Sequence, residues 1–97
     1  MKTLDEIKQI LKDHKEDLRE RYGISKIGIF GSWVKNKQNS RSDVDILAQF
    51  EKPISLLTLV TIELQLKKLL KTKVDLVPES DLRPELKQGI LEETIYL

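Results

Sequence analysis

Ile27-Gly28-Ile29-Phe30-Gly31-Ser32, followed after a polar stretch by Ser42-Asp43-Val44-Asp45-Ile46-Leu47, decides how this chain folds and what it can bind. The first apolar run reads as a buried strand, and the Gly-Ser pair at its end lets backbone N–H groups approach an anion closely. Phosphate is the natural candidate. In the second run, residues two apart share a strand face, so Asp43 and Asp45 point the same way. Two carboxylates side by side resist joint ionisation unless a cation lies between them, and hard oxygen ligands suit Mg2+ or Mn2+.

A third acid stands in Lys73-Val74-Asp75-Leu76-Val77, a short β-branched run that also reads as a buried strand. A carboxylate among apolar neighbours is costly to bury unless it is paired, protonated or metal-bound. Asp75 therefore either joins Asp43 and Asp45 around a cation or is paired structurally with Lys73 or Arg41.

Composition narrows the field. The 97 residues suit one domain, spanning 1–97, and leave no room for a second catalytic or acceptor-binding domain. A net charge of +1, from 17 basic and 16 acidic residues, supplies no overall field toward nucleic acid or a membrane. With no cysteine and the single His14, thiolate zinc sites and histidine clusters are excluded, so any metal is oxygen-bound. The N-terminus is charged from Lys2 onward and no long uncharged segment follows, which predicts a cytoplasmic protein.

Local signals order the rest. Thr3-Leu4-Asp5-Glu6 fits a capping box, and Leu4, Ile7, Leu11 and Leu18 recur at helical spacing until Tyr22-Gly23 ends the pattern. Strands are predicted over 26–30, 44–50 and 74–77, with Asp43 at the mouth of the second. A short helix over 32–37 is predicted to aim its N–H groups at the phosphate site, ahead of a polar loop at 36–42. Ser55 caps a long helix to about residue 70, and Pro84 sits early in a last helix to about residue 91. The tail Ile95-Tyr96-Leu97 packs down. The fold class is α/β of α+β character, a small mixed or antiparallel sheet flanked by helices in the order α-β-α-β-α-β-α. The link between the first two strands is too short for a parallel crossover, so they are expected to be antiparallel, which sets Gly31-Ser32 beside Asp43 and Asp45.

Secondary features are weighed on the same basis. Leu56, Leu57, Leu59, Val60, Ile62, Leu64, Leu66, Leu69 and Leu70 exceed what one core-facing stripe needs, which predicts that some face a second chain, in a homodimer or a hetero-complex. Lys67, Lys68, Lys71 and Lys73 read as a solvated helix end before they read as an RNA contact. Trp33 suits packing between helix and sheet at least as well as stacking on a base. His14 reads as solvated.

Gly31-Ser32, Ser42-Asp43-Val44-Asp45-Ile46-Leu47 and Asp75 together resemble the nucleotidyltransferase superfamily of DNA polymerase β type, above all its minimal nucleotidyltransferase branch. The likeness covers nearly the whole chain, because that branch is little more than a catalytic core and often ends in a segment like Arg83-Pro84-Glu85-Leu86 through Ile95-Tyr96-Leu97. One departure stands out: many members follow Gly-Ser with a residue and then Ala-Arg-Gly, whereas this chain has Trp33-Val34-Lys35-Asn36. Lys35 keeps the charge, and asparagine tolerates a left-handed turn.

The resemblance implies a nucleotidyltransferase that moves AMP from ATP to a hydroxyl. Asp43 and Asp45 would bind two Mg2+ ions, with Mn2+ as a substitute, and Asp75 would complete the site and take the acceptor's proton. Gly31 and Ser32 would hold the β- and γ-phosphates, with Lys35 and Ser42 as helpers. Small proteins of this kind are frequently antitoxins that adenylylate a helical HEPN-type toxin. The alternatives are a non-catalytic antitoxin acting by occlusion, and transfer to RNA or a small molecule.

Overall fold

The computed structural model describes residues 2–38 and 42–97. The chain opens with α1 (Leu4–Tyr22), whose N-terminus is held by the Thr3/Glu6 capping box and whose end is closed by Gly23 at φ 70°. Both signals were readable, because the box satisfies otherwise orphaned N–H groups and glycine enters the left-handed region without a Cβ penalty. Next come β1 (Ile24–Phe30), β2 (Val44–Phe50), α2 (Leu56–Leu70), β3 (Val74–Pro78), α3 (Pro84–Glu93) and β4 (Ile95–Tyr96). Short 3-10 turns lie at Gly31–Trp33 and Glu79–Asp81.

The sheet order is β3-β2-β1-β4. β1 pairs antiparallel with both β2 and β4, while β2 and β3 run parallel across the α2 crossover. The mixed sheet and the antiparallel first pair agree with the sequence expectation. Register divides the sheet into two faces. Ile29, Ile46 and Leu76 lie in one cross-strand row, with Ile27 and Ala48 in the next, and this face is buried against α1 and α2. Ile7, Leu11 and Leu18 come from α1 and Ile62, Leu66 and Leu70 from α2, all at most 1% exposed. Truncating any of these to alanine is expected to cost about 2–5 kcal/mol. The opposite face carries the row Phe30, Asp45, Asp75.

Three expectations need correction. Residues 32–37 form no helix: a 3-10 turn at Gly31–Trp33 is extended by Lys35 N–H donating to Gly31 O at 3.1 Å and Lys37 N–H to Ser32 O at 2.9 Å. Asn36, at φ 58°, turns the chain left-handed there, as its residue type allows, and stops further winding. The tail does not merely pack: Ile95 and Tyr96 add a fourth strand against Ile29 and Gly28. His14 is half-buried, its Nδ1 lying 2.8 Å from the Ile10 carbonyl oxygen. The polar loop expected at 36–42 is described only in part, since residues 39–41, including the alternative Asp75 partner Arg41, lie outside the described residues.

Candidate active site

Strand register assembles the site. β2 is central, so its first residues meet β1 on one side and β3 on the other. Asp45 sits opposite Phe30, the last residue before the Gly31-Ser32 corner, and opposite Asp75 in the parallel pair. Cross-strand partners share a face, so Asp45 and Asp75 project together, and Asp43 follows them by strand period just ahead of β2. Gly31 is required twice over. Its φ of 78° penalises a side chain, and a Cβ built there would strike Asp45 Oδ2.

Asp45 and Asp75 both feel the charge of Asp43. Burial first, then the charges of Asp75, Asp43 and Glu93, push the Asp45 carboxyl up to about 6. Asp75 is likewise raised, by partial desolvation and then by Glu63 and Asp43. Its place in β3 is nevertheless exposed and not the buried one expected, because β3 is an edge strand whose Asp75 face no helix covers. Among the described residues, Lys73 forms no ion pair with Asp75, which removes one structural explanation for that acid.

Two further carboxylates border the rim that sequence reasoning did not single out. Glu93, at the end of α3, accepts the Gly31 N–H at 3.2 Å through Oε1 and pairs with Lys35 Nζ at 3.2 Å through Oε2. Glu63 on α2 accepts the Leu76 N–H at 3.0 Å and pairs with Lys67 Nζ at 3.6 Å. No short-range spacing could have found either, because both reach the site through the tertiary fold. Lys35 and Gly31 are therefore placed at the corner but engaged by Glu93. Ser32 and Ser42 are half-buried at the ends of β1 and ahead of β2. Trp33 is 2% exposed within the core, so it packs and does not present its face to a base.

Among the described residues, no three His, Cys, Asp or Glu side chains stand preassembled as a metal cage. The donor chemistry still fits a hard divalent cation. The rim offers carboxylate oxygens alone, raised proton affinities record charges crowded without a counterion, and Gly31 leaves space that a side chain would fill. Five carboxylates face two lysines, so a polyphosphate meets a repulsive field until a cation is present. A cleft of about 650 Å³ opens at the far end of β2, lined by residues such as Phe50, Ile54 and Leu59, and holds none of these acids. Chemistry, not cleft size, marks the rim.

A family model described as the nucleotidyltransferase domain matches residues 11–97. The protein adenylyltransferase MntA of Thermococcus cleftensis is 45% identical over 97 residues, covering 100% of this chain and 98% of that one. A structure described provisionally as a minimal nucleotidyltransferase superposes with a TM-score of 0.77 at 31% identity, covering 94% of this chain and 95% of its own. The fold alone is shared, at 19% identity and a TM-score of 0.70, with a complex of a tri-AMPylated Shewanella oneidensis HEPN toxin and its MNT antitoxin, over 93% of this chain and 70% of that one. By the extent of the domain match and by relatives alike over their whole length, this chain belongs to the nucleotidyltransferase family and is one of its minimal members.

Proposed function

We propose that this nucleotidyltransferase transfers AMP from ATP, with divalent metal, to a hydroxyl of a protein partner, and that the partner is a HEPN-type toxin. The observation that carries the reading is the cross-strand row that sets Asp45 beside Asp75 at the Gly31-Ser32 corner. Asp43, Asp45 and Asp75 would hold Mg2+ or Mn2+, which when bound neutralises phosphate charge and polarises the attacking hydroxyl.

The chain's own groups then do the rest. Ser32 and the backbone of the corner orient the β- and γ-phosphates, with Lys35 and Ser42 alongside. The acceptor oxygen attacks the α-phosphorus, the bond from that phosphorus to the bridging oxygen breaks, and pyrophosphate leaves in line. Asp75, whose proton affinity is raised by burial and Glu63, receives the hydroxyl proton.

The protein acceptor is carried over from the adenylyltransferase relative and from the toxin–antitoxin complex of the same fold. A surface on α2 agrees with it. Leu56, Leu57, Val60 and Leu64 are 76%, 77%, 46% and 53% exposed, whereas Ile62, Leu66 and Leu70 face the core. That outer apolar stripe suits a helical partner, and it equally suits an antitoxin that acts by occlusion. Incubation with α-labelled ATP, Mg2+ and a HEPN protein separates the two. Label on the partner, lost with Asp43→Asn or Asp45→Asn, is the expected result. A stable complex that never acquires label would instead establish occlusion.

A further inference from the structure

Glu93 occupies donors that a triphosphate would want. One oxygen takes the Gly31 N–H at 3.2 Å and the other the Lys35 ammonium at 3.2 Å. Both donors belong to the corner assigned above to phosphate, and Glu93 is half-buried against it, with 23% of its side chain exposed. A carboxylate with two anchored oxygens mimics two oxygens of a phosphate in its choice of donors. The contact ties the end of α3 to the β1 corner, and β4 begins two residues later, so the carboxylate is held near its seat by the pairing of Ile95 with Ile29.

We propose that Glu93 is a resident competitor for the phosphate seat: it sets nucleotide affinity by engaging Lys35 and Gly31 until the triphosphate displaces it. This rests on the nucleotide-site reading above. The displacement breaks one charge pair and one hydrogen bond and forms equivalent contacts to phosphate, so the exchange is nearly balanced in number and costs the nucleotide part of its binding energy. It also gives the seat a new occupant as pyrophosphate departs. The Lys35 side chain is 54% exposed and can swing between the two partners without disturbing the core.

The test is binding of AMP-PNP with Mg2+, measured by calorimetry, in Glu93→Gln, Lys35→Met and the double variant. Glutamine keeps an oxygen for the Gly31 N–H but loses the charge. Glu93→Gln is expected to bind about three- to fivefold more tightly, the scale of a partly exposed charge pair. In the Lys35→Met background the gain should fall to less than about half of that. Unchanged or weaker binding by Glu93→Gln overturns the proposal, and so does a gain that persists in full without Lys35. Should Glu93→Gln not fold, a crystal structure of the unaltered protein with Mg2+ and AMP-PNP decides: the Lys35–Glu93 pair is expected to be broken, and a retained pair overturns the proposal. Failure of the unaltered protein to bind AMP-PNP at all, or binding indifferent to Ser32→Ala, would count against the nucleotide site itself.

Discussion

Asp45→Asn should make this protein more stable while removing its chemistry. The carboxyl of Asp45 is pushed up to about 6 by burial and by Asp75, Asp43 and Glu93, about two units above an ordinary aspartate. An acid raised in the folded state holds its proton more tightly folded than unfolded. Its contribution to stability is therefore present at low pH and lost as pH rises from about 4 through about 6. The full shift corresponds to a ceiling of roughly 3 kcal/mol, and because Asp45 is part-exposed, solvent screening reduces the expected penalty above pH 6 to about 1 kcal/mol. Asparagine is isosteric and uncharged, so the variant should melt about 4–8 °C higher at pH 7.5 in EDTA. At pH 4.5, low in that window, the advantage should fall to about a third of its pH 7.5 value. Calorimetric melts at the two pH values decide the matter. A variant melting at or below the parent at pH 7.5 would refute charge crowding, and a gain undiminished at pH 4.5 would assign it to packing.

Gly31→Ala should lose more than about 2 kcal/mol in urea unfolding, because the residue sits at φ 78° and its Cβ would meet Asp45 Oδ2. Gly28→Val should pry away the last strand, since even a Cβ would come within 2.5 Å of Thr94 Cγ2 and 3.0 Å of the Ile95 carbonyl. Hydrogen exchange of the Leu97 amide, which donates to Ile27 O at 3.0 Å, reads that release directly. Replacing Leu56 and Leu57 together by lysine should change stability by no more than about 0.5 kcal/mol, because both are already exposed. If a HEPN-type protein is the partner proposed above, its pull-down should fail for that variant. Finally, AMP-PNP should bind only with divalent metal, and equal binding in EDTA would contradict the repulsive field at the rim.

Much of this was legible because it is local. The Thr3/Glu6 box, the Gly23 stop, the Ser55 cap and the Pro84 start each act within a few residues, and α1, α2 and α3 begin where those signals stand. β2 occupies the predicted span because Asp43 precedes a mainly apolar run interrupted only by Asp45 and Gln49. The antiparallel β1–β2 pair followed from connection length, and with it the approach of Gly31 to Asp45. Asp75 was singled out as an acid among apolar neighbours, and it does stand beside Asp45, but its position is exposed, so the cost of burial was not the reason for it. What failed was not encoded nearby. Residues 32–37 carry helix-tolerant types, yet Asn36 turns left-handed and winding ends after one 3-10 turn. β4 is two residues long, too short for any alternation to show. Glu93 looks like any helix-end acid until α3 and β4 carry it to the Gly31 corner.

The missing helix changes how the rim must work. A helix N-terminus would have brought a standing positive field to the phosphates, but a three-residue 3-10 turn aligns too few peptide dipoles to supply one. What remains at the corner is backbone, a serine hydroxyl and Lys35, and Lys35 is already neutralised by Glu93. Against these stand Asp43, Asp45 and Asp75, and the carboxyls of Asp45 and Asp75 are both raised, by desolvation and by neighbouring acids. On the proposed function, the positive charge that nucleotidyl transfer requires would be left largely to a metal held by these acids. Metal binding and nucleotide binding would then be coupled, because each would relieve the repulsion that opposes the other. The crowding expected to cost the free protein stability is the same feature that would favour a cation, so the Asp45 penalty and the proposed activity would share one origin.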